Sequence, residues 1–242
     1  MSPEHAALQP PEILYREGPC IVVAKPGGVL TQAPPHIDSM ERRIKSYLKD
    51  AEDKTGNVYL GMPHRLDRPA SGALVVARHV RAARRLCEQF ETRQVLKLYW
   101  ALVEGSIPET EGQWHDWVRK IPDVAQAQVV EESHAEAKFA SLRFRVIQRR
   151  EGRTLLEIEL ETGRTHQIRL QAAHRGHPIV GDSLYGATLP FGPRTDEPRD
   201  RWIALHARRL AFRHPMTREP VDVTAPMPAW WRAEDLPEDA EA

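Results

Sequence analysis

Between Val95 and Val103 the chain alternates so that Leu96, Leu98, Trp100 and Leu102 share one face of an extended segment, and Lys97 and Tyr99 share the other with Ala101. This period predicts a strand on which Tyr99 points away from the bulkier apolar stripe. Leu142, Phe144 and Val146 repeat the pattern, as do Leu156, Ile158 and Leu160, and the polar turn at Glu151-Gly152 makes them a hairpin. Its register sets Arg143 against Glu159 and Arg145 against Glu157, which makes these arginines cross-strand partners of carboxylates.

Helical spacing takes over from Val80 to Phe90. Val80, Ala83, Leu86, Cys87 and Phe90 form an apolar stripe, with Arg81, Arg84, Arg85 and Glu88 elsewhere on the circumference. A second helix is predicted to start with Thr165 as N-cap and to end near Gly176, a left-handed C-cap. Arg164 then precedes a helix N-terminus, where the dipole repels a guanidinium. Its place is best explained by a nearby anion, Asp67 or a phosphate. Pro63, Pro69, Pro122 and Pro178 mark element boundaries, and residues 190–198 read as a long loop.

The 242 residues, 41% of them hydrophobic, suit one domain with a real core. The expected organisation is an N-terminal extension over 1–12, one main domain over 13–230, and an acidic, disordered tail over 231–242. The first residues lack the basic-then-apolar plan of a signal peptide, and no apolar run approaches membrane-spanning length, so a cytoplasmic protein is expected. Cys20 and Cys87 have no paired spacing and read as reduced core residues.

Net charge is zero, which is unusual for a binder of phosphates, but its distribution is uneven. From Trp231 onward Arg232 stands against Glu234, Asp235, Glu238, Asp239 and Glu241, so the preceding body carries +4. Between Arg201 and Arg218 five arginines occur without an acid, either an anion-facing surface or an ordinary solvated face.

The chemistry concentrates in Met62-Pro63-His64-Arg65-Leu66-Asp67-Arg68-Pro69-Ala70-Ser71-Gly72. Prolines keep this segment from becoming a helix. In an extended backbone Arg65 and Asp67 face one way while Leu66 anchors the other side. A lone Arg-x-Asp is usually a surface ion pair; its company decides otherwise. Val22-Val23-Ala24-Lys25-Pro26-Gly27-Gly28 precedes it. Lys97-Leu98-Tyr99, then Thr162-Gly163-Arg164-Thr165-His166-Gln167-Ile168-Arg169, then Gly176-His177-Pro178-Ile179-Val180-Gly181-Asp182 and Leu184-Tyr185-Gly186 follow, closed by Leu205-His206-Ala207 and His214-Pro215. In this order the blocks resemble the RluA family of RNA pseudouridine synthases.

The resemblance implies an α+β fold: a mixed, largely antiparallel central sheet flanked by helices and loops, with an RNA-binding cleft. It implies a uridine flipped from its stack, with Asp67 promoting cleavage of the N1 glycosidic bond before the uracil rejoins the sugar through C5. Tyr99 is carried over as the ring that stacks on the base and moves the C5 proton, and Arg164 as the partner that holds Asp67 ionised. Arg65 is carried over as the residue that fills the vacated stack, and Leu205 as an apolar wall of the uracil pocket. The substrate would be ribosomal or transfer RNA, the protein a monomer without an obligatory protein partner, and no cofactor is needed.

Two departures stand out. The family usually has Thr where this chain has Ala70, which removes a hydroxyl that could brace the loop. The stretch before Ile13 leaves no room for the S4 RNA-binding domain of many relatives. Among the alternatives, a metal site built on His166, His174 and His177, joined by His64, His206 and His214, lacks a carboxylate or cysteine at ligand spacing. The other is a non-catalytic RNA-binding domain that keeps the fold.

Overall fold

The computed structural model describes residues 8–232. The strands are β1 (Glu12–Glu17), β2 (Cys20–Lys25), β3 (Ser71–Ala77), β4 (Leu96–Glu104), β5 (Glu111–Lys120), β6 (Ala127–Val130), β7 (Lys138–Arg150), β8 (Arg153–Leu160), β9 (Leu205–Arg213) and β10 (Pro220–Thr224). They form one sheet in the order β1-β2-β3-β9-β4-β8-β7-β5-β6, with β10 on β9. Only the short β3–β9 pairing is parallel among these, so the sheet is mixed and largely antiparallel, as the α+β expectation has it.

The parallel contact explains a glycine. Gly72 has φ +120, and a Cβ there would lie 2.4 Å from the Ala207 carbonyl oxygen and 2.5 Å from its nitrogen. Only glycine lets β9 approach this closely.

Helix α1 (Met40–Ala51) covers one sheet face and α2 (Val80–Glu91) the other. Along β2, Ile21 and Val23 point into the α1 side while Cys20 and Val22 point into the α2 side, and all four are fully buried. That two-sided burial is why the strand reads as a continuous apolar run. α1 is absent from the sequence-based expectations. Yet Ser39 caps it, its side chain accepting from the Arg42 amide, and Met40, Ile44 and Leu48 form its buried stripe at four-residue spacing.

The hairpin of β7 and β8 has the expected register, Arg143 opposite Glu159 and Arg145 opposite Glu157. Arg145 bonds Glu157 at 2.8 Å, whereas Arg143 reaches diagonally to Glu161 at 2.8 Å. β4 is the expected strand, with both of its faces covered. It lies between β9 and β8, and Tyr99, Trp100, Ala101, Leu102 and Val103 are all buried. The face holding Tyr99 is therefore covered as well as the face holding Trp100 and Leu102.

Helix α3 spans Gln167–His174, later than expected. Thr165 is not its cap. The N-cap is His166, left-handed at φ 51 and ψ 29, without a side-chain capping bond. Gly176 follows the helix with φ +80, the left-handed exit its sequence suggests. The last helix, α4 (Ala229–Arg232), corrects the tail boundary: Trp231 is 2% exposed and packs edge-on against Phe191 and His206. The acidic residues from Glu234 onward lie outside the described residues. No helix among those described is long and apolar enough to cross a membrane.

Candidate active site

Residues 61–70 run as a non-helical loop whose backbone is pinned from outside. Gly61 exchanges two backbone bonds with Ala77. His64 Nε2 accepts the Val75 amide at 3.0 Å, and its ring stacks on Phe90 with centroids 4.6 Å apart. Burial, then the charge of Lys97, pulls the His64 pKa down to about 3. The ring is therefore the neutral acceptor that the amide requires.

Thr31, 5% exposed, grips the residue before Asp67 twice. Its hydroxyl donates to the Leu66 carbonyl at 2.9 Å and accepts from the Leu66 amide at 3.1 Å. The buried ammonium of Lys25 donates to the carbonyls of Pro26, Val29 and Arg68 at 2.9, 2.7 and 3.1 Å. Burial draws its pKa down to about 7, while the charge of Asp67 works in the opposite sense. The Ala70 amide closes the turn on the Asp67 carbonyl at 3.1 Å. Thr31 and Lys25 thus hold the loop without a hydroxyl at Ala70.

Leu66 is buried, while Arg65 is exposed and lines a cleft with Asp67. Asp67 keeps 19% of its side-chain surface accessible. Its Oδ2 lies 3.3 Å from Arg169 Nη1 and 3.8 Å from His166 Nε2. Arg68 turns away, donating from Nε to the Gly28 carbonyl at 2.8 Å and pairing with Asp200 at 2.9 Å.

Arg164 does not reach Asp67 as expected. Its Nε donates to the Phe139 carbonyl at 2.8 Å, and its backbone amide is taken by Gln167 Oε1 at 3.0 Å. The later start of α3 is the reason: the left-handed turn at His166 directs Arg164 toward β7 and gives the face toward Asp67 to Arg169. Arg169 also makes a two-pronged bond to Asp182, Nε to Oδ2 at 2.6 Å and Nη2 to Oδ1 at 2.8 Å, and its guanidinium sits 5.1 Å from the Tyr185 ring centroid. Burial opposes its charge, but Asp182 and then Asp67 outweigh this and raise its pKa.

The sequence does carry a signal for Arg169. It sits among Ile168, Leu170 and Ala172 on a buried helix, and an arginine there requires a carboxylate. Thr31 had no comparable signal, because its partner is 35 residues away.

The loop, β4 and residues 160–169 enclose a cleft of ≈ 610 Å³. Asp67, Tyr99, Arg164, Arg65 and Leu205 all line it. Tyr99 is 8% and Leu205 4% exposed, so together they offer an apolar wall. Burial, and then the Asp67 charge, pushes the Tyr99 phenol above its ordinary range, which keeps it protonated. His166 lowers its pKa chiefly through burial, against the pull of Asp67, and its Nδ1 lies 3.0 Å from the Tyr185 hydroxyl. Lys97, two residues before Tyr99 on the same strand face, also lines the cleft. Burial, then Arg93, draws its pKa down to about 8.

Other candidate features fall outside. Among the described residues no three His, Cys, Asp or Glu side chains are placed to hold a metal ion. The arginines of β9 are tied to the sheet: Arg209 pairs with Asp222, Arg213 bonds the Arg218 carbonyl, and Arg208 bonds the Ala225 carbonyl while covering the Trp100 ring.

Residues 19–174 match the family described as RNA pseudouridylate synthase. The chain is 34% identical to an uncharacterised RNA pseudouridine synthase of Synechocystis, over 91% of this chain and 66% of that protein. It is also 34% identical to ribosomal large subunit pseudouridine synthase D of Xanthomonas campestris, over 93% and 69%. With tRNA pseudouridine synthase C of Haemophilus ducreyi it shares 31% identity over 91% and 93%. The chain therefore spans about two thirds of the first two relatives. In fold it is similar to human RNA Pseudouridylate Synthase Domain Containing 4, with TM-score 0.73 and 22% identity over 91% of this chain and 90% of that one.

Proposed function

Because the chain belongs to the RNA pseudouridylate synthase family, we propose that it isomerises uridine to pseudouridine in a structured ribosomal or transfer RNA, with Asp67 as the catalytic carboxylate. The observation that carries this reading is the position of Asp67: aimed by Arg169 into a cleft that also holds Tyr99. Both candidate RNA classes enter through names of relatives, one ribosomal and one for transfer RNA.

In this reading the target nucleoside leaves its stack, and Arg65 at the exposed rim fills the gap. The base lies on Tyr99 with Leu205 as its second apolar contact. Asp67 promotes rupture of the N1–C1′ bond, the uracil turns within the cleft, and a C5–C1′ bond forms. A proton leaves C5 and one is gained at N1, so the sum is an isomerisation. Tyr99 enters as a neutral phenol, suited to stacking and hydrogen-bond donation. Arg169, fixed by Asp182, keeps the carboxylate aimed throughout.

Purified protein incubated with unmodified RNA transcripts, followed by nucleoside mass spectrometry, tests the reading. Pseudouridine should form with wild type and not with Asp67→Asn. Binding without conversion in both proteins would favour a non-catalytic RNA-binding domain.

A further inference from the structure

A second cavity of ≈ 220 Å³ adjoins the cleft and shares Gly163, Arg164 and Thr165 with it. Its floor is Val118 and Ala127, both 3% exposed. Lys138 pairs in register with Val118, and Lys120 with Ala127. Since Val118 and Lys120 are two residues apart on β5, both lysines stand on the same sheet face, at the diagonal separation of about 7–8 Å. Both are exposed.

The same face runs on to the active site. Lys138, Ala140, Leu142 and Phe144 alternate along β7; Phe144 pairs with Ile158, and Ile158 with Tyr99. The carboxylate in this cavity, Glu136, is bonded to Arg119 at 3.3 Å and so offsets that guanidinium rather than the lysines. Two exposed ammonium groups side by side over an apolar floor raise the local positive potential and so favour an anion there. Arg164, anchored through Nε on the Phe139 carbonyl, stands at the junction of the two cavities.

From this placement we infer that Lys120, Lys138 and Arg164 form a phosphate-binding subsite that holds the sugar–phosphate backbone of the RNA next to the nucleotide in the cleft. The inference rests on the RNA-modifying reading above and assigns Arg164 to the chain flanking the target. Contacts of this kind position a substrate without reading its sequence.

The test is fluorescence anisotropy of a labelled oligouridylate, titrated at several salt concentrations with wild type, Lys120→Gln/Lys138→Gln and Arg81→Gln/Arg84→Gln. The last pair removes the same charge from exposed positions of α2 outside both cavities. Thermal melts confirm that each variant is folded. The lysine variant should bind about tenfold more weakly, and its salt dependence should fall by about 1 per lysine in log–log slope. An unchanged slope, or an equal loss in the α2 control, overturns the subsite. Conversion of uridine, assayed on the same wild-type preparation, separates the two ideas. Conversion with no effect of the lysines leaves the function standing and removes the subsite, and the binding comparison decides the subsite even if no conversion occurs.

Discussion

Arg169 Nη1 lies 3.3 Å from Asp67 Oδ2, while Nε and Nη2 of the same guanidinium are committed to Asp182. The buried two-pronged pair fixes the fork, and the fork aims the carboxylate. Lysine would carry the charge without the geometry. Arg169→Lys is expected to lower kcat by about 10²-fold, whereas Arg164→Lys should act mainly on KM. Steady-state kinetics on one RNA check this, and a larger kcat loss at Arg164 than at Arg169 would contradict the assignment.

Thr31 is a positioning residue for the loop that carries Asp67. Valine keeps its shape but leaves the buried Leu66 amide and carbonyl without their hydroxyl partner. Thr31→Val should cost about 2 kcal/mol of stability and lower kcat, and Thr31→Ser, which retains the hydroxyl, should restore both. Denaturant titration with parallel kinetics reads the effect. A valine variant with wild-type kcat would show that the loop needs no brace.

Much of the site was legible, for reasons that also explain the rest. Asp67, Tyr99 and Leu205 stand within contiguous motifs, and local periodicity placed the β7–β8 hairpin in its correct register. Arg164 and Arg169 share one motif, and choosing between them depends on where α3 starts. That start is set by a left-handed His166, a conformation that histidine adopts too rarely for the residue type alone to announce it. The brace from Thr31 and the burial of both faces of β4 are long-range consequences of strand order, invisible to any local window.

Acid should destabilise the fold before most carboxylates titrate. His206 places Nδ1 2.8 Å from Ser71 Oγ and Nε2 3.4 Å from the Ala225 carbonyl, and burial draws its pKa down to about 4. His64 is drawn down to about 3. Unfolded, both take up protons near 6.5. Between 6.5 and these folded values the unfolded chain binds more protons, so stability is full above 6.5 and is lost as pH falls through the window. From pH 7 to 5 each histidine should account for about 2 kcal/mol. Urea titrations across that range check it, and a flat profile would contradict the neutral assignment of the two rings.

Tyr99 is held as a phenol beside Asp67. Tyr99→Phe preserves the ring face and removes the donor, so KM should change little while kcat falls by about 10²-fold. Tyr99→Leu removes the stacking surface as well and should affect both. Full activity in the phenylalanine variant would reduce Tyr99 to a stacking surface.

Asp67 is proposed to drive exchange of the N1–C1′ bond for a C5–C1′ bond. That exchange expels the C5 hydrogen, so RNA transcribed with [5-³H]uridine reports it as tritium released to water. Wild-type protein should release tritium with no additive, and Asp67→Asn should release none while retaining its fold and its RNA affinity. Release by the folded asparagine variant at the wild-type rate would contradict the account.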